Sequence, residues 1–174
     1  MSSRPGRRAA ILLVAIPLGI ATSPACAQAG SASPADDSSS PFLGRWELDL
    51  RRLPDDYGAA PKRVTYGFAD IGAGKWRSTI DVTDPDDRVR HMVVDFRRDG
   101  TAVRGGGDTS EADEAAFISP SPRVLIMNLA KERRPGSVRV YTVSDDGGEM
   151  TESAASVTTN GAPMIRRFHY RRLP

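Results

Sequence analysis

Cysteine is almost missing from this chain: 174 residues hold one, Cys26. It lies inside an N-terminal stretch with the marks of a removable export signal, so the mature chain is expected to have none. That excludes a disulfide framework, a thiolate nucleophile and a cysteine-ligated metal, and leaves packing to supply stability. Histidine is nearly as scarce, with His91 and His169 the only two. Aromatic residues make up 6% of the chain, so each large ring must count in the core. No charge of one sign dominates, with 24 Lys and Arg against 22 Asp and Glu. Arg4, Arg7 and Arg8 belong to the leader, which carries no acid, so without it the formal balance tips to the acidic side. Such a balance is no evidence for nucleic-acid binding, which needs a concentrated basic face. The apolar stretch Ala9 to Ala21 is broken by Pro17 and falls short of the ~18 residues of a membrane-spanning helix.

The leader spans residues 1–29. It has a basic n-region, a short apolar h-region, and a small-x-small cleavage site at Ala25-Cys26-Ala27 or Ala27-Gln28-Ala29. Arg7-Arg8 raises a twin-arginine route, but the residues around the pair fit Sec export better. Cys26 could carry a lipid, although Ser23-Pro24-Ala25 lacks the usual aliphatic residue. The expected location is therefore periplasmic or secreted, with no stable membrane insertion after cleavage. Residues 30–41 contain no large apolar side chain and read as a flexible polar linker. The remaining 42–174 suffice for one domain with one core.

That domain reads as strands throughout. Phe42, Gly44, Trp46, Leu48 and Leu50 alternate with Leu43, Arg45, Glu47 and Asp49, the period of two of a strand with one buried face. Similar runs fall near 42–50, 62–71, 74–83, 88–98, 101–105, 115–119, 123–131, 137–145, 149–158 and 163–172. Between them lie turn signals such as Gly72-Ala73-Gly74, Asp99-Gly100, Pro135-Gly136, Asp146-Gly147-Gly148 and Asn160-Gly161. Short hairpins make neighbours antiparallel, and closure removes exposed edges. The expectation is an all-β, antiparallel up-and-down barrel of about 8–10 strands, with at most one short helix at Ser110 to Ala116.

The opening Phe42-x-Gly44-x-Trp46-x-Leu48 resembles the first strand of lipocalin-like proteins, members of the wider calycin group. Over most of the domain, Pro61 to Tyr66, Arg97-Arg98-Asp99-Gly100, Val143-Ser144-Asp145-Asp146-Gly147 and Tyr170 resemble, in that order, small exported bacterial proteins of this type, mostly of unknown function. The resemblance implies a cup that holds a small apolar molecule, and a first-strand Trp packed under a late-strand Arg at the closed end. Arg166, inward by parity, is the residue expected against Trp46.

Parity also sets the candidate site. Tyr66, Phe68, Trp76, Met92 and Phe96 point inward, where they either line a ligand cavity or are plain core. Arg90, Asn128 and Glu152 share the inward parity, and a buried charge needs a partner. Arg90 at an open end would suit the carboxylate of a fatty-acid-like ligand. His91 and His169 fall on the outer face, which counts against a catalytic relay and a nitrobindin-type haem site. The acids around Asp84 and Asp113 match no calcium-loop pattern. Gly105-Gly106-Gly107 lacks the Lys-Ser/Thr of a phosphate loop and suits a bend or a gate beside the barrel mouth. Arg133-Arg134, Arg166-Arg167 and Arg171-Arg172 read as solvated edges.

These residues predict a binder of a small hydrophobic or amphipathic molecule, with no catalytic constellation, cofactor or metal. The alternative is a filled barrel that docks an envelope protein. An internal cavity of at least ~300 Å³ favours the first and a filled interior the second. Arg90 or Glu152 paired at a pocket base would favour an enzyme.

Overall fold

The computed structural model describes residues 39–174. The predicted leader and linker residues 30–38 lie outside the described residues. Among the described residues eleven strands form one antiparallel sheet: β1 (Gly44–Leu48), β2 (Arg63–Gly72), β3 (Lys75–Thr83), β4 (Val89–Phe96), β5 (Val103–Arg104), β6 (Gly106–Gly107), β7 (Glu114–Ser121), β8 (Val124–Lys131), β9 (Arg134–Val143), β10 (Glu149–Val157) and β11 (Pro163–Arg172). Chain neighbours pair from β1 to β4 and from β7 to β11, and β11 pairs back onto β1.

The two remaining edges, β4 and β7, are joined by one strap. Val103 pairs with Ala115 on β7, and three residues later Gly106 pairs with Val93 on β4. Gly105 carries the chain from one edge to the other. Gly107 has φ 80°, and a Cβ there would collide with the His91 carbonyl oxygen, so only glycine fits. The predicted bend at Gly105-Gly106-Gly107 is thus the seam of a nearly closed barrel.

The opening motif ties the first strand to the last. Arg172, the register partner of Trp46, lays its guanidinium over the indole, 4.2 Å from the ring centre. Its nitrogens donate to the carbonyl oxygens of Gly147 at 2.7 Å, Leu43 at 2.7 Å and Pro41. Gly44, at φ 119°, leaves room for it, since a Cβ there would sit 2.8 Å from Arg172 Nη1. The Trp46 indole N–H donates to the Phe42 carbonyl at 2.9 Å. Arg172, not Arg166, therefore closes the barrel under Trp46: Arg166 lies six residues nearer the other end of β11, beyond reach of that ring. Pro41, expected to end the flexible linker, is held by this arginine.

The closed half is filled by large side chains. Phe68, Trp76, Phe96 and Phe117 are buried, with Phe96 and Phe117 stacked at 3.7 Å and Arg98 over Trp76 at 4.0 Å. Phe68, Trp76 and Phe96 are thus packed core.

Two local expectations are corrected. Residues 110–113 form a loop and Glu114 already starts β7, so there is no helix at Ser110 to Ala116. The β8–β9 turn sits at Glu132-Arg133, with φ of 51° and 63°, rather than at Pro135-Gly136, which lie inside β9 and beside its bulge. Asp113 draws the turn there, its carboxylate accepting from the Glu132 backbone N–H at 3.1 Å.

Arg172→Lys loses the planar fork and most of the stacking, and is expected to lower unfolding stability by about 2–3 kcal/mol in urea titration. A loss below ~0.5 kcal/mol would mean that the strand ladder alone closes the barrel. Arg133→Gly, which relieves a left-handed arginine, is expected to raise stability by about 1 kcal/mol. An unchanged or lower melting temperature would show that the turn carries no such strain.

Candidate functional site

Toward the other end the inward side chains shrink. On β9 to β11 the register places Tyr141, Glu152 and Phe168 in one row across the inner face, and Arg139, Ala154 and Arg166 in the next. Ser137 and Ser156 come still nearer the rim. On the facing wall Val64, Tyr66, Ile80, Val82, Arg90 and Met92 point inward. With an alanine and serines where rings sit lower down, space opens: a cavity of about 310 Å³ lies between these walls, with Tyr57 and Glu111 reaching over it from the loops. A small apolar recess of about 60 Å³ adjoins it behind Met92 and Ile80, against Gly105 and Gly106 of the strap.

The polar groups of the cavity form a connected cluster. Glu152, 1% exposed, accepts from the Tyr170 hydroxyl at 2.6 Å and lies 3.4 Å from Arg139 Nη1. Arg139 Nη1 also donates to the Tyr66 hydroxyl at 3.2 Å, its Nε to Ser137 Oγ at 3.3 Å, and its Nη2 to Glu111. Tyr141 donates to the Tyr66 hydroxyl at 3.3 Å. Burial pushes the Glu152 carboxyl above its ordinary value, against the pull of Arg139 and the Tyr170 hydrogen bond. Burial also raises the hydroxyls of Tyr66, Tyr141 and Tyr170 and keeps them protonated, Tyr141 and Tyr170 as donors and Tyr66 as the acceptor between Arg139 and Tyr141. For Arg139 burial disfavours the charge, but the surrounding tyrosine and glutamate oxygens outweigh it and hold the guanidinium above its ordinary range.

Two more arginines face the cavity. Arg90 is clamped by Asp84, with Nη2 to Oδ1 at 2.8 Å and Nε to Oδ2 at 2.9 Å, and this hydrogen bonding raises Arg90 and holds Asp84 below the usual carboxylate range. Arg166 Nη2 donates to the Asp56 carbonyl at 2.9 Å and to its carboxylate at 3.1 Å. Its Nε is buried and has no acceptor among the described residues.

Of the residues singled out from the sequence, Tyr66, Arg90 and Met92 line the cavity, and Glu152 forms its floor. Asn128 does not join them. It is exposed on the outer face, because Leu125, Met127 and Leu129 are the buried set of β8. The run Val-Leu-Ile-Met-Asn-Leu is apolar at both parities, so alternation could not fix its faces. Arg139 and Glu111 were missed. The signal for Arg139 was present, since Arg139, Tyr141 and Val143 share one parity. Glu111 is brought in only by the path of its loop. His91 and His169 lie outside the barrel, paired with Asp81 at 2.6 Å and Glu149 at 2.9 Å.

No family model and no curated protein matches the chain. Solved structures do. The chain is similar to a point mutant of the fluorescent protein UnaG at 14% identity and TM-score 0.53, over 77% of this chain and 97% of that one. A second point mutant of UnaG gives 14% identity and TM-score 0.51, over 75% and 95%. Zebrafish ileal bile acid-binding protein complexed with cholic acid gives 14% and 0.47, over 77% and 100%. At such identity the likeness to UnaG establishes the fold alone, a nearly closed, all-β antiparallel barrel.

Because the folded Glu152 is raised, the native state holds its proton more tightly than the unfolded chain. Its contribution to stability is therefore lost as pH climbs from its ordinary 4.5 through the folded value. Glu152→Gln should match the wild type near pH 4 and gain on it steadily as pH rises, read as the difference in melting temperature. A difference that moves the other way would show that pairing with Arg139 outweighs desolvation.

Proposed function

We propose that this protein is an exported binder that holds a small hydrophobic or amphipathic molecule in the barrel without acting on it chemically. The carrying observation is the 310 Å³ cavity, walled by Val64, Val82, Met92, Met164 and Phe168, with a few charged groups placed around it to orient a guest. Ligand cavities run from about 300 to 1,000 Å³ and pair an apolar lining with a small number of placed polar groups. A filled barrel docking an envelope protein fits less well, because only the closed half is packed solid. Arg166 is better placed than Arg90 to meet a polar head, since Arg90 is already clamped by Asp84 while Arg166 Nε lacks an acceptor among the described residues. The periplasmic or secreted location rests on the leader sequence, residues 1–29.

One observation favours a second reading. Glu152 is a buried carboxylate with a raised proton affinity at the cavity floor, a type of group that enzymes use for proton transfer. It is the weaker reading, because Tyr170 and Arg139 already engage both carboxylate oxygens.

Native mass spectrometry of the mature protein, purified from its own host's envelope, is expected to show a small molecule that is retained under native conditions and lost on denaturation. A bare mass, with no thermal shift from a panel of lipids and isoprenoids, would sink the carrier reading and favour the docking module.

A further inference from the structure

The loop between the strap and β7 carries the one acid that enters the cavity from outside the sheet among the described residues. Its ends are tied down on either side of the β4–β7 seam. Asp108 N–H donates to the His91 carbonyl at 2.7 Å on β4, and Asp113 N–H to the Ala130 carbonyl at 3.0 Å on β8. Lys131 Nζ adds a bond to the Thr109 carbonyl at 2.9 Å. Between these anchors Glu111 reaches inward, and its carboxylate accepts from Arg139 Nη2. The two partners differ sharply in environment. The Arg139 side chain is 15% exposed and held by Ser137, Tyr66 and Glu152, whereas Glu111 is 53% exposed and is held through Arg139 alone among the described residues.

Arg139 is therefore fixed, and Glu111 can leave by a side-chain rotation while its loop stays anchored at both ends. When it leaves, Arg139 Nη2 is bare toward a cavity in which Arg166, in the same cross-strand row beyond the small Ala154, already has an Nε without an acceptor among the described residues. We infer that Glu111 is a built-in competitor for the ligand's head group: it occupies the anion seat on Arg139, and an amphiphile with a carboxylate head enters by displacing it. This rests on the ligand-binding reading above and names the charge of the ligand and the residue that sets the threshold for binding it. A neutral amphiphile gains nothing from the exchange, because it offers Arg139 no charge in return. Glu111 therefore biases the empty site against weakly bound anions and leaves neutral ligands unaffected.

Decanoate and decanol, which share a chain and differ in head charge, separate the two claims by titration calorimetry at low ionic strength. For Glu111→Gln, which keeps the shape and removes the charge, decanoate affinity should rise about two- to fivefold, the range of a half-exposed ion pair, with decanol unchanged. Glu132→Gln removes the same charge from the turn beside the loop and should change neither. The inference is overturned, with the carrier reading intact, if both probes bind the wild type and Glu111→Gln leaves decanoate unchanged or weaker, strengthens both probes equally, or is matched by Glu132→Gln. If neither probe binds any form of the protein, the carrier reading and the inference fall together.

Discussion

The Arg172 guanidinium stacked on Trp46 is the contact on which the barrel depends. It joins the last strand to the first, and it does so where the chain enters the domain, so three carbonyl oxygens, two from the entry segment and one from the β9–β10 turn, end on one side chain. A β1 of five residues pairs with β11 over only three register positions. So short a ladder gives few hydrogen bonds, and a planar, permanently charged fork supplies what it lacks. Once β1 is fixed, its other edge sets the register of β2 through Trp46 opposite Tyr66, and β2 in turn carries the Tyr66 hydroxyl to the cavity floor. The position of a cavity hydroxyl thus traces back to a cation–π contact made by its neighbour on the adjacent strand.

The seam between β4 and β7 is closed by weaker means. The strap holds each edge through two register positions and needs glycine where it passes the His91 carbonyl. One side of the barrel is therefore tied by a long continuous run of ladders and the other by a thin bridge. The small apolar recess lies directly behind that bridge. Local opening is expected where backbone pairing is sparsest, which on this barrel wall is the strap.

Much of this architecture was legible in the sequence, for an identifiable reason. Strands with one wet face write their orientation in a period of two, and β2, β3, β4 and β11 do so clearly, which is why parity turned Tyr66, Trp76, Met92 and Tyr170 inward, as the barrel has them. The signal failed where its physical basis was missing. In β8 both faces are apolar, so Asn128 carried no parity information. At Glu132-Arg133 the turn is drawn by a carboxylate from a distant loop rather than by Asn or Gly, so no local residue announced it. Arg166 and Arg172 share a parity, and choosing between them required knowing how far along β11 the pairing with β1 extends. Glu111 lies on a loop, whose path no periodicity encodes.

Why the cavity lies where it does follows from side-chain volume along the strands rather than from any loop. Going up the inner face from Trp46, rings and long aliphatics give way to Ala154, Ser156 and Ser137 on adjacent strands, where the cavity opens. Space of that kind stays open only if the groups around it do not collapse into it. The Tyr66–Tyr141–Arg139–Glu152–Tyr170 cluster prevents this by holding its members to one another through directional bonds across β2, β9, β10 and β11. An apolar lining alone could repack inward. A hydrogen-bonded floor with buried charge cannot do so without leaving a guanidinium or a carboxylate unpaired, and that penalty is what keeps the cavity preformed.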